Sequence, residues 1–176
     1  MRNDTDRWAA TTVGQKAPAS FAGVTMSHVT GLEQTLISGP RAAALSHVQL
    51  TSAIGWPDCA TGERYAVSLR RDRVLAIGFA CGRFGWNDEA GLAISQMSQG
   101  YGVVDLTGPD ALPILQTGTE LSPKTPSASA VRLWHGYDLI VYALGHNDGF
   151  RLHIPAALLE AAWDMLSRQA KLIGGS

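Results

Sequence analysis

Apolar residues recur at two spacings along this chain, and the switch between them is sharpest from Gly145 to Lys171. Phe150, Leu152 and Ile154 alternate with Arg151 and His153, the period of a strand with one buried face. Pro155 then lets the chain enter a helix directly, because the first helical turn has no use for the N–H that proline lacks. Leu159, Ala162, Trp163, Leu166 and Ala170 form one stripe of that helix; Glu160, Asp164, Ser167, Arg168 and Lys171 form the opposite face. The basic residues lie in the last turns, where they complement the negative end of the helix dipole, and Gly174-Gly175 follows. The pattern predicts a strand followed by a helix that packs on a sheet.

Upstream, Val24 to Ile37 reads as extended, with a turn at Thr30-Gly31. Ser38-Gly39-Pro40 offers an N-cap and a first-turn proline for a helix over residues 41–54, stopped by Gly55, Trp56 and Pro57. Alternating Tyr65, Val67 and Leu69, then Val74 to Phe79, predict two strands joined through Arg71-Asp72. The glycine-flanked segment CGRFGWNDEAG reads as an exposed loop. Leu92 to Met97 and Tyr101 to Thr107 read as a second hairpin around Ser98-Gln99-Gly100. Gly108-Pro109-Asp110-Ala111 begins a helix with Pro109 in the N1 position, kept short by Pro113. A loop rich in Ser, Thr and Pro spans Thr117 to Ser129, and Val131 to Trp134 with Leu139 to Leu144 form a third hairpin across His135-Gly136. The class is α+β: a mostly antiparallel sheet with helices packed on one face, whose second face must be covered by another element or another protein.

Residues 1–22 lack periodicity and are expected to be an extended arm, with Trp8 and Phe21 as anchors onto the domain or a partner. Residues 23–176 are expected to form a single domain, since 176 residues at 45% hydrophobic composition suit one core. A net charge of −1 argues against nucleic-acid binding; Arg70, Arg71 and Arg73 are the only dense basic cluster, and a turn accounts for them. No window approaches the roughly 20 apolar residues of a membrane span, and no signal-like run opens the chain, so a cytoplasmic, non-membrane protein is expected. Cys59 and Cys81 have no CxxC or Cys/His spacing, which reads as two reduced thiols and no zinc site.

The chain contains no GxSxG, GxxxxGK[ST], HExxH or strand–GxGxxG–helix pattern, so those enzyme classes have no support in the sequence. The five histidines are scattered: His28 on a strand, His47 on a helix, His135 and His146 in turns, His153 on the polar face of the last strand. None has a nucleophile or acid at a telling spacing, so each reads as a surface or hydrogen-bonded histidine. Asp105 and Asp138 read as strand-face carboxylates pointing at solvent, and Cys81 beside Gly82 and Arg83 as an inert thiol. No catalytic residue is expected. Arg83, Phe84 and Trp86, with Trp134, are the candidate partner interface, because interface energy concentrates in a few Trp, Tyr and Arg side chains.

Two runs also carry a family resemblance. GHNDGFRLHIPAALLEAAWDML is similar to the stretch of aminomethyltransferase, the glycine cleavage T protein, that reads TGEDGFE, a strand, Pro, and a helix with a Trp-Asp pair; VVDLTGPDALPILQ resembles the GPDA element of the same fold family. Their order and spacing, with ISQMSQGYGVVDLTGPDA before and a compact C-terminus after, most resemble the gamma subunit of heterotetrameric sarcosine oxidase, over about residues 60 to 172. The resemblance implies the N-terminal folate-binding fold of aminomethyltransferase. It also implies a small subunit, without its own cofactor, in a complex that oxidatively demethylates an N-methylated amine. Its partners would be larger alpha and beta flavoenzyme subunits and a small zinc-binding delta subunit, which between them carry FAD, FMN, NAD and zinc and pass the one-carbon unit to tetrahydrofolate.

The departures bear on folate. Asn147 stands where folate-binding members have the glutamate that holds the pterin ring, and Arg151 where they have a second acid. A carboxylate accepts paired hydrogen bonds from the aminopyrimidine edge, whereas an amide would set a donor against a donor, so Asn147 marks a vestigial folate position. The segment HGYDLIVY is too short to hold the family's catalytic aspartate, so Asp138 does not take that role. A free-standing folate-binding protein or one-carbon transferase of the same fold is the alternative, and an unrelated α+β interaction module the third possibility.

Overall fold

The computed structural model describes residues 16–145 and 149–174. Its elements run β1 (Ala19–Phe21), β2 (Val24–Val29), β3 (Gln34–Ser38), α1 (Arg41–His47), β4 (Cys59–Ala60), β5 (Tyr65–Arg70), β6 (Arg73–Ile77), β7 (Gly85–Asn87), β8 (Leu92–Gln96), β9 (Tyr101–Thr107), α2 (Ala111–Gln116), β10 (Val131–Trp134), β11 (Tyr137–Leu144), β12 (Gly149–Pro155) and α3 (Leu159–Gly174), the last preceded by one 3-10 turn. A seven-stranded sheet has the order β1-β2-β9-β12-β11-β10, with β4 beside β11; a five-stranded sheet has the order β5-β6-β3-β8-β7. All pairs are antiparallel except β4 with β11.

Side-chain alternation stacks these elements into layers. In β6, Val74 and Ala76 pack toward α1 while Leu75 and Ile77 face the other sheet. In β11, Leu139 and Val141 pack toward α2 and α3 while Ile140 and Tyr142 face the five-stranded sheet. Each sheet therefore carries helices on one face and packs its second face on the other sheet. The apolar stripe expected for the last helix is the one buried: Leu159, Ala162, Trp163, Leu166 and Ala170. Gly102 lets α3 approach β9 closely, since a Cβ there would lie 2.5 Å from a Leu159 methyl. Lys16 fastens the start of the described chain to α3 through Glu160, 2.5 Å away, and its backbone N–H donates to His28 Nδ1.

Several expectations are corrected. The helix predicted over residues 41–54 ends at His47, and Gln49 turns the chain with φ 57°. The remainder leads to a single bridge at the edge of β5, where Ile54 N–H donates to Ala66 O at 2.9 Å and Ser68 N–H to Ile54 O at 2.7 Å. An available sheet edge outweighs the weak helix propensity of Thr51-Ser52. The expected second hairpin is a crossing: β8 pairs with β3 and β7, β9 with β2 and β12, and the turn at residues 97–100 carries the chain between sheets. The segment read as a loop contains the edge strand β7. Pro109 precedes rather than opens α2, whose cap position is Asp110. Ala19–Phe21, placed in the arm above, pairs with β2; Trp8 lies outside the described residues.

Candidate functional site

Where the sheets face each other, alternation on β12 directs Arg151 and His153 inward, away from the face that carries Leu152 and Ile154. Register then places Asp105 of β9 opposite Arg151, and Tyr142 of β11 on its other side. Arg151 grips Asp105 with two parallel bonds, Nε to Oδ1 and Nη2 to Oδ2, both 2.7 Å. Its Nη1 donates to the Tyr65 hydroxyl at 3.1 Å, reaching across to the five-stranded sheet. The Tyr65 and Tyr142 hydroxyls lie 2.9 Å apart, Tyr142 Oη is 2.7 Å from His153 Nε2, and His153 Nδ1 is 2.6 Å from Gln34 Oε1.

These contacts fix the proton positions. Gln34 Nε2 donates to the Tyr101 carbonyl at 3.2 Å, so the oxygen facing His153 can only accept, and Nδ1 must carry the imidazole proton. Nε2 accepts from the Tyr142 hydroxyl, which accepts from Tyr65, which accepts from Arg151. Burial, then the Arg151 charge, pulls His153 down to about pKa 3 and keeps it neutral. Burial pushes the Tyr142 hydroxyl up, assisted by Tyr65. Burial opposes the Arg151 charge, but the Asp105 carboxylate outweighs it and holds the guanidinium above its ordinary range. Every polar side chain of the set is thus committed to a neighbour, and His153 is fully buried. These contacts form a clamp between the sheets. Asp105, expected to point at solvent, is corrected here, because the second sheet covers its face; His153, read as a surface or hydrogen-bonded histidine, is the hydrogen-bonded and buried kind.

One end of the clamp opens to the surface. A pocket of about 290 Å3 is lined by Tyr65, Arg151, Thr61, Gly62 and Gly145 among others, beside the turn that carries the resemblance to the folate-binding family. Asn147 lies outside the described residues.

The expected interface residues separate. Arg83 is exposed, Phe84 is 45% and Trp86 62% exposed, and all three border a groove of about 540 Å3 with His47, Cys81 and Ile94. Trp86 donates from Nε1 to Asp88 at 2.5 Å. Trp134 is a correction: it is wholly buried among α2, β10 and β11, its ring meeting His135 edge-on at 4.7 Å, so it has no surface to offer a partner. Alternation on β10 instead exposes Leu133. Cys59 is exposed and Cys81 partly so. Among the described residues, no group of His, Cys, Asp and Glu is arranged to hold a metal, and no helix is long and apolar enough to cross a membrane. The clamp partners Gln34, Tyr65 and Tyr142 escaped sequence reasoning; the only signal was the polar pair Arg151 and His153 on one strand face.

No protein-family model and no curated protein matches the chain in sequence. Among solved structures, it is similar to a chain of the heterotetrameric sarcosine oxidase from Corynebacterium sp. U-96, solved in complex with pyrrole 2-carboxylate: 17% identity over 100% of this chain and 97% of that one, with a TM-score of 0.66. It also resembles the glycine cleavage system aminomethyltransferase T from Bartonella henselae, at 12% identity over 83% of this chain and 46% of that one, with a TM-score of 0.49. At these identities the sarcosine oxidase likeness establishes a shared fold, the mostly antiparallel α+β fold expected above.

Proposed function

We propose that this chain is a small, gamma-like subunit, with no active site of its own, of a sarcosine oxidase-like flavoenzyme complex that oxidatively demethylates an N-methylated amine such as sarcosine. The observation that carries the reading is the match along nearly the whole of both chains to one chain of a heterotetrameric enzyme, so the counterpart is a chain of this size and not a domain inside a larger one. The interior agrees with a structural role: the groups that could move a proton, His153, Tyr142, Tyr65 and Asp105, are spent holding two sheets together. Flavin, zinc and folate chemistry then belongs to larger alpha and beta partners and a small delta partner, in the cytoplasm. Arg83, Phe84 and Trp86 form the docking surface, because an exposed aromatic pair beside an arginine is the composition of an interface hot spot.

Purification of the chain alone tests this. The expected product is colourless, does not oxidise sarcosine, and shows no saturable calorimetric binding of tetrahydrofolate at micromolar concentration. Flavin absorbance retained through gel filtration would count against the subunit reading, and tight folate binding would favour the free-standing folate-binding alternative, with the pocket beside Arg151 as its site.

A further inference from the structure

β7 ends the five-stranded sheet: it pairs with β8 on one side, and among the described residues no backbone hydrogen bond covers its other edge. An open edge that carries an apolar side chain is a template for another strand, and folded proteins usually cover or blunt it. The opposite edge of the same sheet is covered, with Ser68 N–H donating to Ile54 O at 2.7 Å and Ala130 N–H donating to Ser68 O at 2.9 Å. At β7 the edge instead presents Trp86, with Phe84 beside it. The charges flanking it are segregated, Arg83 before the strand and Asp88 and Glu89 after it, all exposed.

We propose that a second copy of this chain pairs antiparallel with β7 about a two-fold axis at Trp86. Setting Trp86 opposite Trp86 places Gly85 against Asn87 of the second copy and brings Arg83 beside Asp88 and Glu89 of that copy. The two-fold axis repeats this match at the other end, so one register satisfies both charge clusters, as an isologous contact requires. The two indoles become directly opposed cross-strand neighbours on one face, a favourable aromatic pair. Two five-stranded sheets join into one of ten strands. The pairing uses the surface assigned above to the larger subunits. It therefore describes the chain before assembly, when Trp86 and the open edge need cover, and it does not depend on the subunit reading being right.

Sedimentation equilibrium of the purified free chain over a wide concentration range tests it. The expected result is a reversible monomer–dimer equilibrium, with β7 amides exchanging more slowly as the dimer fills. Arg83→Glu and Glu89→Arg should each weaken dimerisation by about tenfold, and the double variant should restore it, since opposite charges face each other again. At concentrations low enough for the parent to be monomeric, all three should melt with it, because both side chains are exposed. A chain that stays monomeric at every concentration, a dimer indifferent to both reversals, or assembly that continues beyond the dimer would overturn the proposal. Failure to recruit larger subunits on co-expression would count against the subunit reading while leaving this equilibrium unchanged.

Discussion

Arg151 does the most at the level of single residues. Its side chain closes the Asp105 carboxylate with a bidentate pair and hands one further donor across the sheet interface to Tyr65. Arg151→Met should cost about 3–5 kcal/mol, because it strands a largely buried carboxylate, whereas Arg151→Met with Asp105→Leu should recover much of that loss. Urea denaturation of the two variants checks this, and equal losses would mean that the pair is not the source. His153 supplies a pH prediction. The unfolded chain protonates this side chain near pH 6.5, but the folded chain does so only near 3. Between those values the unfolded state binds the extra proton, so the contribution is intact above about 6.5 and is lost at about 1.4 kcal/mol per pH unit as pH falls below it. NMR should show the His153 ring in its neutral, Nδ1-protonated form from neutral pH down to about pH 4, and a midpoint near 6.5 would contradict the clamp. The alternation of Arg151 and His153 with Leu152 and Ile154 was legible in the sequence. That their shared face would be buried was not, because a single strand does not reveal what covers its polar side.

Among the elements, α3 was readable from its own residues, since the stripe of Leu159, Ala162, Trp163, Leu166 and Ala170 has one periodicity and one possible buried face. Trp163→Ala should cost about 3–5 kcal/mol, as other large-to-small core changes do. An unchanged thermal midpoint in that variant would mean that the stripe is not packed as described. The third hairpin was equally legible, because a two-residue turn at His135-Gly136 leaves few other pairings, and Trp134 and Tyr137 are indeed partners. The turn at residues 97–100 was not. A short polar turn between two alternating runs serves a hairpin and a crossing between stacked sheets alike, and here β3 and β2, both distant in sequence, claim the neighbouring edges. The same non-local competition bears on α1, whose expected last residue, Ile54, found backbone partners on β5.

For the molecule as a whole, two sheets are clamped face to face with helices outside, and the described surface opens at the groove beside β7 and at the pocket beside Arg151, among other places. The family resemblance of the GPDA and GHNDGF segments, through their order and spacing, anticipated the fold. The exposure of the four candidate interface residues was partly legible: Arg83, Phe84 and Trp86 are exposed as their glycine-flanked context suggested, while Trp134 is core because strand parity, invisible without the register, turns it inward. The most direct test of the subunit reading is affinity purification of this chain, tagged, from cells that co-express the alpha, beta and delta chains of a sarcosine oxidase-like complex. Larger, flavin-bearing chains should elute with it, and Trp86→Ala should sharply reduce their recovery while the free variant, at concentrations where the parent is monomeric, melts as the parent does. Elution of the chain alone, or full recovery of the complex with Phe84→Ala and Trp86→Ala combined, would contradict it.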